Sequence, residues 1–302
     1  MKEQGQFRQG LNNSFRALSD LRHLQQFSGS EIAYRYGDRI RRSFETDGSL
    51  PVLICARDEL EDLPRLLFSL SRQTCPVSPL VVDNNSSDGT GELARSLGAK
   101  VIEEKEKGLI NALRRGFTFF SELKFPPLCI LHTDADCYPV SSWAQHLTKK
   151  KRSSLKGIGE QIFGPVVHYG SCPKDGLRTI IAFTIDSGLR CRGFIRPKGP
   201  NGAMFLDNQF LMLKALTYLD LNCVTGTDQL VNDVLTKIGV VSSYNWSLKN
   251  LVFSKGDRYS ATKDIFLTFL NPRYREILYA DWFEGREGGV NYRSRYNPRK
   301  RL

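Results

Sequence analysis

Residues 51–59 read Pro-Val-Leu-Ile-Cys-Ala-Arg-Asp-Glu, and their pattern is the clearest structural signal in the chain. Its first six residues form an apolar run without alternation, which is typical of a strand buried on both faces of a parallel sheet. A leucine-rich segment at helical spacing follows, with Pro64 in its first turn. The sequence therefore predicts a buried strand that leads into a helix through a short polar turn.

The alternation of strand and helix continues to residue 132. Short apolar runs at 80–82, 100–102 and 128–132 alternate with helical patterns at 88–97 and 109–120. This order predicts an α/β protein with an open, mixed but mostly parallel sheet flanked by helices. Ligands of such sheets bind beyond the carboxyl ends of the strands, so we expect the chemistry there.

Acidic residues stand at three of these strand ends. The first strand ends near Asp58 and Glu59, the second at Asp83, and the fourth in the segment Asp134-Ala-Asp136. Because carboxylates repel phosphate, the pattern favours a cation between them and an anionic ligand, and oxygen ligands suit Mg²⁺ or Mn²⁺. The alternative for each motif alone is an Asp-rich turn that caps a helix. Three such turns in succession are harder to explain by capping.

Motifs of other ligand classes on such a sheet are absent from the sequence. There is no GxGxxG, no GxxxxGK[ST] and no GxSxG, and the first glycine after the first strand is Gly89. These absences argue against a dinucleotide-binding dehydrogenase, a P-loop protein, an α/β-hydrolase and a sugar-nucleotide pyrophosphorylase.

The chain from Pro51 to about Gly239 resembles the family 2 glycosyltransferases, which have the GT-A fold. The first strand of the family and its acidic end are matched by residues 51–59 of this chain, where Asp58 stands in place of the usual Asn. The further matches are the segment VDNNSSDGT at 82–90, the Gly, Ala and Arg pattern at 108–116, the DxD motif Asp134-Ala-Asp136, and a late acidic motif at 226–230.

The resemblance implies a role for each matched residue. The donor-binding residues would be Ala56, Arg57, Glu59, Asp83, Asn85, Gly108, Arg114, Arg115 and Asp134. Among them, Asp83 would accept hydrogen bonds from the nucleobase, and Arg115 or Arg114 would reach the donor phosphates. Asp134 and Asp136 would bind the divalent cation that neutralises the leaving diphosphate.

The resemblance implies Asp228 as the general base that deprotonates the acceptor hydroxyl. Thr227 precedes it, where the family often has Glu. The alternative is that Asp228 only caps the helix that follows.

The implied function is a metal-dependent inverting glycosyltransferase that moves one sugar from a nucleoside-diphosphate sugar, most often a UDP-sugar. Without a QxxRW motif or a membrane span, a processive polysaccharide synthase is not favoured. The acceptor would be a hydroxyl of a glycan, a lipid-linked sugar or a small molecule, in glycan, cell-envelope or glycolipid synthesis. The alternative is a non-catalytic protein of the same fold that binds nucleic acid or membrane. The four aspartates at 83, 134, 136 and 228 argue against it, and we expect no nucleic-acid partner.

The chain has 302 residues, and its charge and cysteine content bear on the segments outside this domain and on the cellular location. The formal net charge is +11, and residues 286–302 carry six basic residues and one acidic one, which suits a peripheral contact with an anionic membrane. Seven cysteines without a CxxC pair and a polar N-terminus favour the cytoplasm. We predict an N-terminal helical extension over 1–49, the GT-A domain over 50–255, and a C-terminal extension with a basic tail over 256–302.

Overall fold

The computed structural model describes residues 2–46, 48–149, 159–168, 202–206, 210–217, 235, 238–245 and 247–255. Its helices are α1 (Lys2–Leu24), α2 (Gly29–Phe44), α3 (Leu63–Leu70), α4 (Thr90–Ser96), α5 (Leu109–Ser121), α6 (Trp143–Lys149) and α7 (Phe210–Thr217). Its strands are β1 (Leu50–Ala56), β2 (Val77–Asp83), β3 (Lys100–Glu103), β4 (Cys129–Asp134), β5 (Cys137–Pro139), β6 (Gly159–Phe163), β7 (Val166–His168), β8 (Gly202–Leu206), β9 (Val240–Tyr244) and β10 (Val252–Ser254). A 3₁₀ turn spans Leu248–Asn250.

Seven strands form the main sheet, in the order β3-β2-β1-β4-β8-β6-β9. The pairs among β3, β2, β1 and β4 are parallel, β8 is antiparallel to both of its neighbours, and β6 and β9 are again parallel. The predicted α/β class, with a mixed and mostly parallel open sheet, is therefore confirmed.

Both faces of the main sheet are covered by helices. Along β1, Val52 and Ile54 lie in the hydrophobic core shared with α1, α2, α3 and α6, whereas Leu53 lies in the core shared with α5 and α7. Successive side chains of a strand point to opposite faces, so a strand covered on both faces must be apolar throughout. This explains why residues 51–56 show no alternation.

The second sheet has the order β5-β10-β7 and holds the segment that follows the DxD motif. β5 begins at Cys137, directly after Asp136, and pairs antiparallel with β10. The N–H of Lys255, at the end of β10, donates to the carbonyl of Asp136 at 3.3 Å. A strand from far along the chain thus fixes the backbone of the motif.

The segment predicted as an N-terminal helical extension contains two helices, α1 and α2. The helix breaks after Leu24 because Ser28 begins a new one: its side chain accepts from the N–H of Glu31, and the Glu31 side chain accepts from the N–H of Ser28. This capping box is visible in the sequence as Ser-x-x-Glu. Both helices bury apolar residues against α3, among them Leu21, Leu24 and Ile32.

The strand predicted at 80–82 begins earlier, at Val77, and so includes Pro79. Proline lacks an N–H, but β3 pairs with β2 only from Leu80 onward. Pro79 is therefore opposite a strand on one side only, where its missing donor is tolerated.

No helix among the residues described here is both long and apolar enough to cross a membrane. The division of the chain at residues 49 and 255 remains a prediction, and residues 256–302 lie outside the described residues.

Candidate active site

The carboxyl ends of β1 to β4 lie side by side and form one rim. Ala56 is opposite Asp83, Asp83 is opposite Glu103, and Cys55 is opposite Asp134. The register therefore brings the three acidic strand ends to one edge of the sheet. Among the predicted donor-binding residues, Ala56 is buried, whereas Arg57 and Glu59 are half-buried in the turn that follows it.

Two loops of the rim are tied together by side chains, and we call them the β1 loop (57–62) and the β2 loop (84–89). The N–H of Glu59 donates to the Thr90 hydroxyl at 2.9 Å, and the N–H of Leu60 donates to the Asp88 carboxylate at 3.0 Å. In return, the carboxylate of Asp58 accepts from the N–H of Ser87 at 2.8 Å. Each loop satisfies backbone donors of the other, so the two are held as one unit.

Asp88 anchors this tie as an ionised carboxylate. Burial acts to raise its pKa, but hydrogen bonds from the Thr90 side chain and from the N–H groups of Leu60 and Thr90 outweigh burial. The pKa of Asp88 therefore lies below its ordinary value of 3.8. The helix predicted from residue 88 begins at Thr90 instead, because Gly89 adopts a positive φ of 91° before it.

Asp83 is buried at the end of β2, with 9% of its surface exposed. One carboxylate oxygen accepts from the N–H of Ser86 at 3.1 Å, and the other packs against the backbone of Gly91, where no side chain would fit. Asp83 thus shapes the β2 loop. Asn85, two residues further along the chain, is exposed and has a positive φ of 60°.

Asn84 is a structural residue of the rim that the sequence reasoning missed. Its Oδ1 accepts from the N–H of Gly108 at 2.7 Å, and its Nδ2 donates to the carbonyls of Glu106 and Glu104 at 2.6 and 3.3 Å. These bonds fix the loop between β3 and α5. The sequence signal for this role was an asparagine as the third residue of the VDNNSSDGT motif, because the short amide side chain of asparagine often forms hydrogen bonds with the backbone of a turn.

The two arginines of α5 point to different places. Arg114 donates to the carbonyl of Leu216 in α7 at 3.4 Å, and Arg115 donates to the carbonyl of Glu103 at 3.3 Å. Arg115 is exposed and lies by the end of β3, at the rim. Gly108 precedes α5 with a positive φ of 127°.

Asp134, Asp136 and Cys137 form the candidate metal centre. Each offers one ligand atom, and these atoms all lie within 4.8 Å of one another. The two aspartates are half-buried, whereas Cys137 is buried, and its Sγ donates to the Asp136 carboxylate at 3.6 Å. Carboxylate oxygens suit Mg²⁺ and Mn²⁺, so the two aspartates fit a divalent cation. Asp228, predicted as the base, and Thr227 lie outside the described residues.

An open sheet with loops and carboxylates at the carboxyl ends of its strands defines the class: an α/β protein of the kind in which ligands bind at the strand ends. Residues 52–158 match the family model described as glycosyl transferase family 2. The match and the observed sheet confirm the predicted family and GT-A fold.

Curated relatives share parts of the chain. It is 49% identical over 61 residues to 4,4'-diaponeurosporenoate glycosyltransferase of Staphylococcus haemolyticus, covering 20% of this chain and 16% of that protein. It is 29% identical over 127 residues to glycosyltransferase AglE of Haloferax volcanii, covering 39% of each. The chain thus spans less than half the length of either relative.

Among solved structures, glucosyl-3-phosphoglycerate synthase from Mycobacterium tuberculosis, in complex with Mn²⁺, UDP-glucose and phosphoglyceric acid, is similar with a TM-score of 0.45. The sequence identity is 16%, over 80% of this chain and 84% of that one.

Proposed function

We propose that this protein is a metal-dependent inverting glycosyltransferase that moves a single sugar from a nucleoside-diphosphate sugar to a hydroxyl acceptor. The donor would be a UDP-sugar, and the acceptor a glycan, a lipid-linked sugar or a small molecule. The observation that carries the proposal is the clustering of Asp134, Asp136 and Cys137 at the rim, within the segment that matches the glycosyltransferase family.

The tied β1 and β2 loops support a preformed pocket for the nucleoside. Arg57, Glu59 and the backbone of Ala56 border this part of the rim, and Asp83 and Asn85 border it from β2. A pocket fixed by its own hydrogen bonds loses little conformational entropy when it binds a ligand. In this proposal Asp83 recognises the nucleobase.

The diphosphate would lie between the carboxylates and the start of α5. Gly108 allows a ligand to approach the backbone closely, and Arg115 beside Glu103 is the cation proposed to reach the phosphates, with Arg114 as its neighbour. Asp134 and Asp136 would hold a Mn²⁺ or Mg²⁺ ion, which would neutralise the charge of the leaving diphosphate.

The acceptor side of the proposal rests on the sequence alone. Asp228 is proposed as the base that takes the proton of the acceptor hydroxyl, so that the oxygen attacks the anomeric carbon opposite the departing diphosphate. A cytoplasmic location, with the basic residues of 286–302 on an anionic membrane surface, completes the proposal.

Titration calorimetry with UDP, with and without Mn²⁺, tests the donor site directly. We expect Asp136→Ala to abolish the Mn²⁺-dependent gain in UDP affinity and to lower transfer about 100-fold or more, because it removes a ligand of the cation. Asp38→Ala, on the exposed face of α2, is the matched control and should bind as the wild type does.

Equal Mn²⁺-dependent binding by the Asp136→Ala protein would refute the metal assignment. A wild-type protein that binds nucleic acid or anionic vesicles in a salt-sensitive manner, but neither UDP nor GDP, would instead favour the non-catalytic alternative.

A further inference from the structure

Asp58 has an unusual backbone for its residue type. Its φ is 53°, in the left-handed region, and among the described residues only Asn85 shares this feature without being glycine. Non-glycine residues adopt this conformation at some cost in energy, which Asn and Asp tolerate best. Asp58 stands in the β1 loop, two residues after β1 ends.

One oxygen of the Asp58 carboxylate serves the β2 loop. Oδ1 accepts from the N–H of Ser87 at 2.8 Å and from its hydroxyl at 3.2 Å. The N–H of Asp58 donates in turn to the Ser86 hydroxyl at 3.1 Å. An asparagine could make the same contacts, because it has an acceptor Oδ1 and tolerates a positive φ.

The other oxygen faces a different partner. Oδ2 lies 3.9 Å from Nε of Arg57, and the side chains of Arg57 and Asp58 are 27% and 45% exposed. An asparagine would present an NH₂ group to Arg57 in place of this oxygen. The family's usual residue at this position could therefore hold the loops together but could not attract the arginine.

We propose that Asp58 is a positioning residue with two separable tasks: Oδ1 joins the β1 and β2 loops, and Oδ2 orients the Arg57 guanidinium toward the donor. The inference rests on the proposed function, since Arg57 is a proposed donor contact. Asp58 touches no reacting atom in this account, so its effect falls on donor binding.

The test compares Asp58→Asn with Asp58→Gly in donor kinetics. Asp58→Asn keeps the loop contacts and should raise the donor KM about threefold with kcat unchanged, as expected for one partly exposed ion pair. Asp58→Gly loses both tasks while glycine accepts the positive φ freely, and should raise KM about tenfold or more.

A double-mutant cycle separates the role of Arg57 from a merely structural one. If Oδ2 acts through Arg57, Asp58→Asn should have no further effect on KM in an Arg57→Ala background. Asp38→Asn, an acid-to-amide change at another arginine-paired carboxylate, should leave KM unchanged.

An unchanged KM in both Asp58 variants would overturn the inference, as would an undiminished Asp58→Asn effect in the Arg57→Ala background. These results differ from a failure of the proposed function, in which the wild-type protein itself would bind no nucleoside diphosphate.

Discussion

The two halves of the main sheet are built in different ways. β3, β2, β1 and β4 come from one continuous stretch, residues 50–134, and pair in parallel. β8, β6 and β9 come from segments near residues 204, 160 and 242, respectively, and β8 is antiparallel to its neighbours. We call the two parts the continuous half and the assembled half.

Buried polar groups show what this difference means. In the continuous half, Asn84 is 4% exposed and bonds three backbone groups of one loop. In the assembled half, Glu160 and Gln161 of β6 are 4% and 3% exposed. Glu160 Oε2 and Gln161 Nε2 have no hydrogen-bond partner among the residues described. Asn84 is thus a buried amide whose bonds stabilise its surroundings, whereas Glu160 and Gln161 are buried with part of their hydrogen-bonding capacity unused among the described residues.

The largest expected loss of stability is at Gly29, where α2 packs against the continuous half. A Cβ at Gly29 would overlap the carbonyl oxygen of Leu60 in the β1 loop, and the N–H of Gly29 donates to Glu61 at 2.9 Å. A backbone carbonyl cannot swing aside as a side chain can. We expect Gly29→Ala to lower the free energy of unfolding by about 3 kcal/mol, measured by urea denaturation.

Gly37 in the same helix gives the matched control. The nearest atom to a Cβ there is a Leu97 methyl at 3.6 Å, an ordinary contact. Gly37→Ala should be neutral, or stabilising by up to about 1 kcal/mol because alanine favours the helix. Similar losses in both variants would show that the approach to Leu60 is not what makes Gly29 necessary.

The prediction of intermediate size compares the stability effect of replacing one buried amide side chain in each half. Asn84→Ala leaves the N–H of Gly108 and the carbonyl of Glu106 without their partner, and should cost about 2 kcal/mol in urea denaturation. Gln161→Met replaces a buried, incompletely bonded amide by an apolar chain of similar size, and should change stability by less than about 1 kcal/mol. A loss of about 2 kcal/mol or more at Gln161 would erase the contrast.

The continuous half is also the part that could be predicted from sequence. Its strands were foreseen because an unbroken apolar run such as residues 51–56 signals burial on both faces, and its acidic rim followed from strand order alone. The strands β5 and β7 are not predicted because each has only three residues. The strand β6 is not predicted because Glu160 and Gln161 interrupt its apolar pattern.

The side-chain contacts of the site could not be read from residue types. Asp58, Asp88 and Asp136 all have the side chain of a potential metal ligand. In the structure, however, the carboxylates of Asp58 and Asp88 accept hydrogen bonds from backbone N–H groups of neighbouring loops. Which carboxylate meets a loop and which stays near the metal cluster depends on the register of the strands and on the path of each turn. Pairings between distant segments, such as Cys137 with Ser254, leave no local signal at all.

The smallest expected effect is a pH dependence confined to the continuous half. Because the pKa of Asp88 is lowered in the folded protein, its ionised form contributes stability above the unfolded value of 3.8. That contribution is lost as the pH falls through the folded pKa. The hydrogen bonds that Asp88 makes with Thr90 and Leu60 are partly solvated, so we expect this contribution to the free energy of unfolding to be less than about 1 kcal/mol.

Urea midpoints of the wild type and Asp88→Asn, measured from pH 6 down to pH 3, should therefore converge in acid. A constant gap across this range would mean that the tie between the β1 and β2 loops depends on the hydrogen-bond geometry of the Asp88 side chain and not on its charge.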